Sequence, residues 1–210
     1  MIEKIMKAVK RGNKKRSRNI TIGAVIGFLL SCTAVAGADE YLYIKDNNGK
    51  VQFSTDGSEG KDANPYKDAG NIWDKETNTY VNNIALSGTN NGPNDTSGNP
   101  EGYGVKLKLS LEEVKFINNG AISAESASSI AYGIDNVADS KISLINTGTI
   151  SASSGGQYTS SNGINNSGTI ENLDNSGIVS ATTSSFAYPS GIDNRGTINK
   201  LNNNGILFAN

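Results

Sequence analysis

Five charged side chains in the second half of this 210-residue chain have the types that could do chemistry: Asp135, Glu171, Asp174, Asp193 and Arg195. Carboxylates gathered beside a guanidinium can serve as general acid and base, hold calcium, or steady an acidic substrate. Their setting argues for a plainer role. Asp135 and Asp193 hold the same place in Gly133-Ile134-Asp135-Asn136 and Gly191-Ile192-Asp193-Asn194, but the copy between them, Gly163-Ile164-Asn165-Asn166, has Asn165 there. A position that takes Asn as readily as Asp reads as a solvated turn. No catalytic, cofactor-binding or metal-binding residue is therefore assigned, and no cofactor. Histidine is absent altogether, which removes the commonest general base, the Ser-His-Asp arrangement and most zinc sites. The step of 9 residues from Gly168 to Gly177 matches calcium-binding nonapeptides, but their Gly-Gly-x-Gly-x-Asp pattern is missing. Gly155-Gly156 stands alone and reads as a loop, and no phosphate loop, dinucleotide fingerprint or metal-spaced cluster occurs.

What positions these residues is a seven-position unit, apolar–x–Asn–x–Gly–x–apolar. It runs as Phe116-Asn118-Gly120-Ile122, Leu144-Asn146-Gly148-Ile150, Ile164-Asn166-Gly168-Ile170, Leu173-Asn175-Gly177-Val179, Ile192-Asn194-Gly196-Ile198 and Leu201-Asn203-Gly205-Leu207. A degenerate copy starts at Ile134-x-Asn136 and loses its glycine. The glycines fall into two interleaved series, 120, 148, 177, 205 and 168, 196, with every step 28 or 29 residues. The Gly-Ile-x-Asn motif recurs at 30 and 28. A period of this length marks units that must stack to bury an apolar face.

The unit's composition selects the kind of stack. Residues two apart share a strand face, so Ile150 and Ala152 point inward while Thr149 and Ser151 face solvent. Asn and Gly tolerate positive φ, so Asn-x-Gly is expected to turn the chain, and stacked turns would align the Asn side chains in a hydrogen-bonded ladder. No 3.6-residue apolar stripe is present. The fold class is all-β, with a small N-terminal β cap at 39–115 and a right-handed parallel β-helix of about three rungs at 116–210. A disordered Asn/Ser/Gly tract is the alternative, but disorder gives no reason for an apolar residue at both ends of every unit.

Residues 1–38 read as an export signal. Lys4, Lys7, Lys10, Arg11, Lys14, Lys15, Arg16 and Arg18 form a basic start, Ile20–Leu30 an apolar run, and Ala34-Val35-Ala36 and Ala36-Gly37-Ala38 two small-x-small cleavage sites before Asp39-Glu40. The 11 residues of the apolar run are too few to span a bilayer. Cys32, the one cysteine, follows Leu29-Leu30-Ser31 and loosely resembles a lipobox, so lipidation there is the alternative to ordinary cleavage. Loss of 1–38 leaves 11 basic against 19 acidic residues, a formal charge of −8. Such a chain repels phosphate, so nucleic acid is not an expected partner.

Between signal and repeats, Tyr41–Ile44 and Val51–Phe53 about Asn47-Asn48-Gly49 read as a hairpin. Ser54–Tyr80 is polar and holds Trp73, Val81–Leu86 reads as a strand, and 89–103 as a loop. Val105, Leu107, Leu109 and Leu111 alternate in a strand leading to the first rung.

The long basic signal with Arg11-Gly12-Asn13-Lys14-Lys15-Arg16, then Asp39-Glu40-Tyr41-Leu42-Tyr43-Ile44 and the Asn-x-Gly-x-Ile repeats, resembles type V autotransporters, most of all the large surface proteins of fusobacteria. The resemblance implies a β-helical passenger displayed at the outer membrane or released. Its partners would be a β-barrel translocator, the outer-membrane assembly machinery and a protein or glycan ligand on a cell surface. A barrel needs many alternating segments of about ten residues, and none occurs before Asn210. The chain is thus expected to be the N-terminal piece of a longer protein, or to rely on a separate barrel. Adhesion or display without catalysis is the expected function, with 124–131, 153–161 and 182–190 as contact loops bearing Tyr132, Tyr158, Phe186 and Tyr188. A secreted carbohydrate-active lyase or hydrolase is the alternative.

Overall fold

A computed structural model describes residues 41–47, 49–58, 60–110, 113–184 and 188–210. The expected signal at 1–38, Cys32, Asp39-Glu40, Asn48, Leu111 and Phe186 lie outside the described residues. No helix occurs among the described residues. The chain opens with β1 (Leu42–Asn47) and β2 (Lys50–Ser54), then β3 (Ile72–Asp74), β4 (Thr79–Asn82) and β5 (Ala85–Thr89). Triplets follow. They are β6 (Gly102–Lys108), β7 (Val114–Asn118) and β8 (Ala121–Ser126), then β9 (Ala131–Asn136), β10 (Lys141–Asn146) and β11 (Thr149–Ser154). The next are β12 (Ser160–Asn166), β13 (Thr169–Asn175) and β14 (Ile178–Thr183). The last turn holds β15 (Tyr188–Asn194), β16 (Thr197–Ile198), β17 (Leu201–Asn203) and β18 (Ile206–Ala209).

Each strand of a triplet pairs in parallel with its counterpart one turn on. Three sheets result: β15-β12-β9-β6-β1-β2, then β16-β13-β10-β7-β4-β3 with β17 beside β13, and β18-β14-β11-β8-β5. The molecule is a parallel β-solenoid of about 4 turns, one more than the repeat unit alone predicts. The sheets run unbroken across residue 115, because β4, β5 and β6 pair in parallel with β7, β8 and β9. Antiparallel β2 and β3 lie at the N-terminal edges of the first and second sheets. The expected hairpin forms, with Asn47 opposite Lys50 and Gly49 at φ 74°. The strand expected over Val81–Leu86 is broken by a corner at 83–84 into β4 and β5.

Alternation turns into columns of like residues. In the third sheet Leu86, Ile122, Ile150, Val179 and Leu207 stack in register, with the column Gly88, Ala124, Ala152, Ala181, Ala209 beside it. In the second, Tyr80, Phe116, Leu144, Leu173 and Leu201 form a column that begins with rings stacked at 5.6 Å and 8°. Phe53 and Trp73 extend that aromatic packing at the N-terminal end. Ile122, Ile150 and Val179 are fully buried, while Leu207, in the last turn, is 41% exposed.

The Asn ladder is present and double. Asn82, Asn118, Asn146 and Asn175 each donate through Nδ2 to Oδ1 of the next turn's Asn, ending on Asn203, at 2.7 to 2.8 Å. Asn71 donates to Asn82 and starts this ladder. Asn136, Asn166 and Asn194 form the second, with bonds of 2.6 Å. Leu107 lies opposite Asn136 one turn earlier, so no amide reaches Asn136 Oδ1, which is buried without a hydrogen bond. The uneven 28 and 29 spacing also has a cause: a bulge in β13 sets Ser143 opposite Asn172 just after Ile142 opposite Ile170.

The six repeat glycines do not serve the purpose expected of them. None has positive φ; that conformation falls on Gly49, Gly57, Gly70 and Gly98. Glycine is needed because the corners stack too closely for a Cβ. One built on Gly148 would strike Gly120 O, on Gly177 would strike Gly148 O, and on Gly205 would strike Gly177 O. Space, and not a left-handed turn, selects the residue. Where the glycine is lost after Asn136, residues 137–140 make a different corner with Asp139 at φ 64° and Ser140 Oγ accepting from Leu109 N.

Candidate binding face on the first sheet

Stacking converts spacing along the chain into columns on the outside of the solenoid. On the first sheet, Tyr43, Lys106, Asp135, Asn165 and Asp193 occupy one register line on five successive strands. A parallel line holds Tyr103, Tyr132, Asn162 and Ser190. The glycines between the two lines face inward. A Cβ on Gly133 would approach Ile150 Cγ2 at 2.8 Å and one on Gly163 Val179 Cγ1 at 2.7 Å. With that inward step between them, Tyr103 and Lys106 share the outer side, where Lys106 Nζ donates to the Tyr103 hydroxyl at 3.2 Å.

These residues form one network. The Tyr103 hydroxyl donates to Glu101 Oε2 at 2.5 Å. Lys106 Nζ lies 4.3 Å from the centre of the Tyr103 ring and 3.9 Å from Asp135 Oδ2. Asn165 Nδ2 donates to Asp135 Oδ1 at 2.7 Å. Rings of Tyr41, Tyr103 and Tyr132 lie in series, with centroids 5.4 and 5.3 Å apart. Asp135 is buried, and burial raises its carboxyl pKa above the usual carboxylate value, opposed by the Asn165 hydrogen bond and by Lys106. Burial likewise raises Tyr41 to about 12, and pushes Tyr103 and Tyr132 upward with Glu101 and Asp135 adding to it. Such a group of hydroxyls, amides and one ammonium has the chemistry to donate and accept hydrogen bonds beside aromatic rings.

Two segments cover part of this face. Asn91 clamps Tyr103 by accepting from its N–H at 2.8 Å and donating to its carbonyl at 2.9 Å. Tyr41 N donates to Thr55 O at 2.8 Å, which draws the turn after β2 over the Tyr41 ring. Glycine permits the close approach, since a Cβ on Gly92 would run into the Tyr103 ring and one on Gly57 into the Tyr41 hydroxyl.

The five side chains named from sequence do not converge. Asp135 and Asp193 share the first sheet, and Arg195, in the bend just past β15, pairs with Asp193 at 3.1 Å and is largely exposed. Glu171 and Asp174 are on the second sheet. Glu171 accepts from Asn199 at 2.7 Å and pairs with Lys141 at 3.1 Å, while Asp174 accepts from Asn202 at 2.7 Å and from Asn172. Most of these contacts join successive turns. Among the described residues no group of three or more acidic, Cys or His side chains is placed to hold a metal.

Of the segments expected to make contacts, 124–131 and 153–161 lie along one edge, between the third sheet and the first. The 90–101 segment joins them there: Asn90 Oδ1 accepts from Ala127 N, and Ser129 Oγ donates to Asp95. Tyr158 and Tyr188 are 74% and 76% exposed, whereas Tyr132 packs on Tyr103.

Glu101, Tyr103 and Lys106 escape a reading of the repeats alone. A signal for Tyr103 and Lys106 exists, because Tyr103-Gly104-Val105-Lys106-Leu107 lies 29 residues before Tyr132-Gly133-Ile134-Asp135-Asn136 and is an earlier copy of that motif. Comparison with known proteins gave no match to a family model, to a curated protein or to a solved structure.

Proposed function

We propose that this chain is a passenger segment of an autotransporter-like protein, carried to the outer membrane and displayed at the cell surface or released, where it acts by adhesion or display without catalysis. The observation that carries the reading is a parallel solenoid, preceded in sequence by a stretch that reads as an export signal. A stack of about 4 turns presents ranks of Ser, Thr, Asn and Tyr side chains outward at the spacing between strands, about 4.8 Å. Such a surface is regular and polar, suited to multiple weak contacts. A β-barrel translocator and the outer-membrane assembly machinery are the partners this implies, with a protein or glycan ligand on the outer face. The acidic chain left after residue 38 makes nucleic acid an unsuitable ligand.

A second reading, a secreted carbohydrate-active enzyme, draws on the Glu101–Tyr103–Lys106–Asp135 network, in which an ammonium pairs with Asp135 and reaches Glu101 through the Tyr103 hydroxyl. Asp135 is engaged by Asn165 and Lys106, and Glu101 by Tyr103, which favours recognition over proton transfer.

The test is fractionation of cells producing the natural protein with an epitope tag in the 155–159 loop. Surface exposure to added protease is expected, together with an intact mass that places the new N-terminus at Gly37 or Asp39. Retention of the tag in the cytoplasm would sink the proposal. An added acyl mass on Cys32 would replace cleavage at the small-residue sites with lipid anchoring.

A further inference from the structure

The cleft on the first sheet has chemistry that narrows its ligand, and this step rests on the adhesion reading above. We infer that the cleft between the turn at 55–58 and the segment at 90–93 binds a neutral glycan. It is an open depression of about 410 Å3, lined by Tyr41, Tyr43, Asp56, Asn91 and Lys106, with Gly57 and Gly92 in its walls. That is room for one or two sugar rings.

A sugar matches what lines the cleft. Its C–H face is apolar with a slight positive charge and rests against the negative face of an aromatic ring, here Tyr43, which is only half-buried. Its hydroxyls both donate and accept. Asp56 is an acceptor at one side, held ionised by Ser58 and Ser54, which lower its pKa to about 2. Lys106, level with Tyr43 on the neighbouring strand, is a donor.

Other ligand classes fit less well. A cation would compete with Lys106, already over the Tyr103 ring at 4.3 Å, and with Lys45, 5.8 Å from the Tyr43 ring centre. An anion would face Asp56 and would have to draw Lys106 from Asp135. An extended peptide would seek an open sheet edge, but β1 is paired on both sides, with β2 and β6.

The experiment is calorimetric titration of the purified chain with lactose, cellobiose, maltose and N-acetyllactosamine, with digalacturonate and tetraglycine as the acidic and peptide arms. At least one neutral disaccharide is expected to bind with Kd on the order of 1 mM, as for a single shallow site. Tyr43→Ala is expected to weaken it about tenfold, with Tyr43→Phe restoring it, since the ring face makes the contact. Asp56→Asn, at an exposed position, tests the same site without disturbing the core. Phe208→Ala, an exposed aromatic of the last turn, is expected to change nothing. Failure of every neutral disaccharide overturns the inference, as does binding indifferent to both Tyr43→Ala and Asp56→Asn. Tighter binding of digalacturonate or tetraglycine than of any neutral sugar also overturns it. Release of reducing ends from a bound disaccharide would keep the ligand class and defeat the non-catalytic reading instead. Loss of surface display with sugar binding intact would defeat only the passenger assignment.

Discussion

Asn146 Nδ2 donates to Asn175 Oδ1 at 2.8 Å, although 29 residues separate the two along the chain. The same amide reaches Gly148 O at 3.3 Å and Ile178 O at 3.2 Å, so one side chain ties a corner to itself and to the turn that follows. Both asparagines are buried, and a buried amide has no water to fall back on. The ladder is thus a polar spine inside an apolar tube, tolerable because each member satisfies the next.

Removing a middle member should cost more than removing the end. Asn146→Ala strips Asn175 Oδ1 of its donor and takes an acceptor from Asn118, so a loss of about 2–3 kcal/mol is expected. Asn203 is exposed at the end of the ladder, and Asn203→Ala should cost within about 0.5 kcal/mol. Urea unfolding of both variants decides it. Equal losses would mean that the ladder contributes nothing beyond ordinary burial.

Glycine positions that look alike in sequence should respond in opposite ways. A Cβ on Gly163 would lie 2.7 Å from Gly191 O and from Val179 Cγ1, whereas one on Gly191 finds its nearest atom, Phe208 O, at 3.5 Å. Gly163→Ala is expected to destabilise by about 1–3 kcal/mol through overpacking, and Gly191→Ala to be nearly neutral. Thermal melts compare them directly, and matched losses would count against crowding as the reason for glycine.

How much of this was legible depended on whether a residue obeyed the repeat. Ile122, Ile150, Val179 and Leu207 align as their spacing demands, and the Asn ladder follows from the same count. The first turn was hidden because its residues depart from the pattern. Ile84 replaces the glycine in Tyr80-x-Asn82-x-Ile84-x-Leu86, and Leu107 replaces the asparagine of the next motif. The 90–101 insertion also stretches the step from Asn82 to Asn118 to 36 residues. Tyr43 beside Lys106 was beyond reach for another reason. Their 63-residue separation contains two antiparallel strands, and only a three-dimensional stack brings them level.

One column should show a gradient of sensitivity along the solenoid. Ile150 is fully buried between Ile122 and Val179, so Ile150→Ala should cost about 2–5 kcal/mol. Leu207, in the same line, is 41% exposed, and Leu207→Ala should cost under about 1 kcal/mol. Ile170→Asp, which puts a charge at a fully buried site, should be worse than either and lower Tm by many degrees. An unshifted Tm for Ile170→Asp would contradict the inward placement of the second sheet's apolar line.

Acid titration separates Asp135 from the surface carboxylates by sign. Burial raises its folded pKa above the unfolded value of 3.8, so the folded state holds that proton more tightly. The contribution of Asp135 to stability is therefore fully present below pH 3.8 and is lost as pH rises through its raised pKa. Asp56, Asp95 and Asp174 have lowered values and behave oppositely, giving stability above 3.8 that is lost as pH falls. Asp135→Asn removes the desolvated charge while leaving an oxygen for Asn165 to donate to. It is expected to raise Tm relative to the natural chain at pH 7, and to give a smaller gain, or none, at pH 3. Lys106 loses a distant 3.9 Å partner but retains the Tyr103 hydroxyl and ring, which limits the offset. Melting curves at the two pH values read the difference. A lower Tm for Asp135→Asn at pH 7 would show that the Lys106 pairing outweighs the desolvation of Asp135.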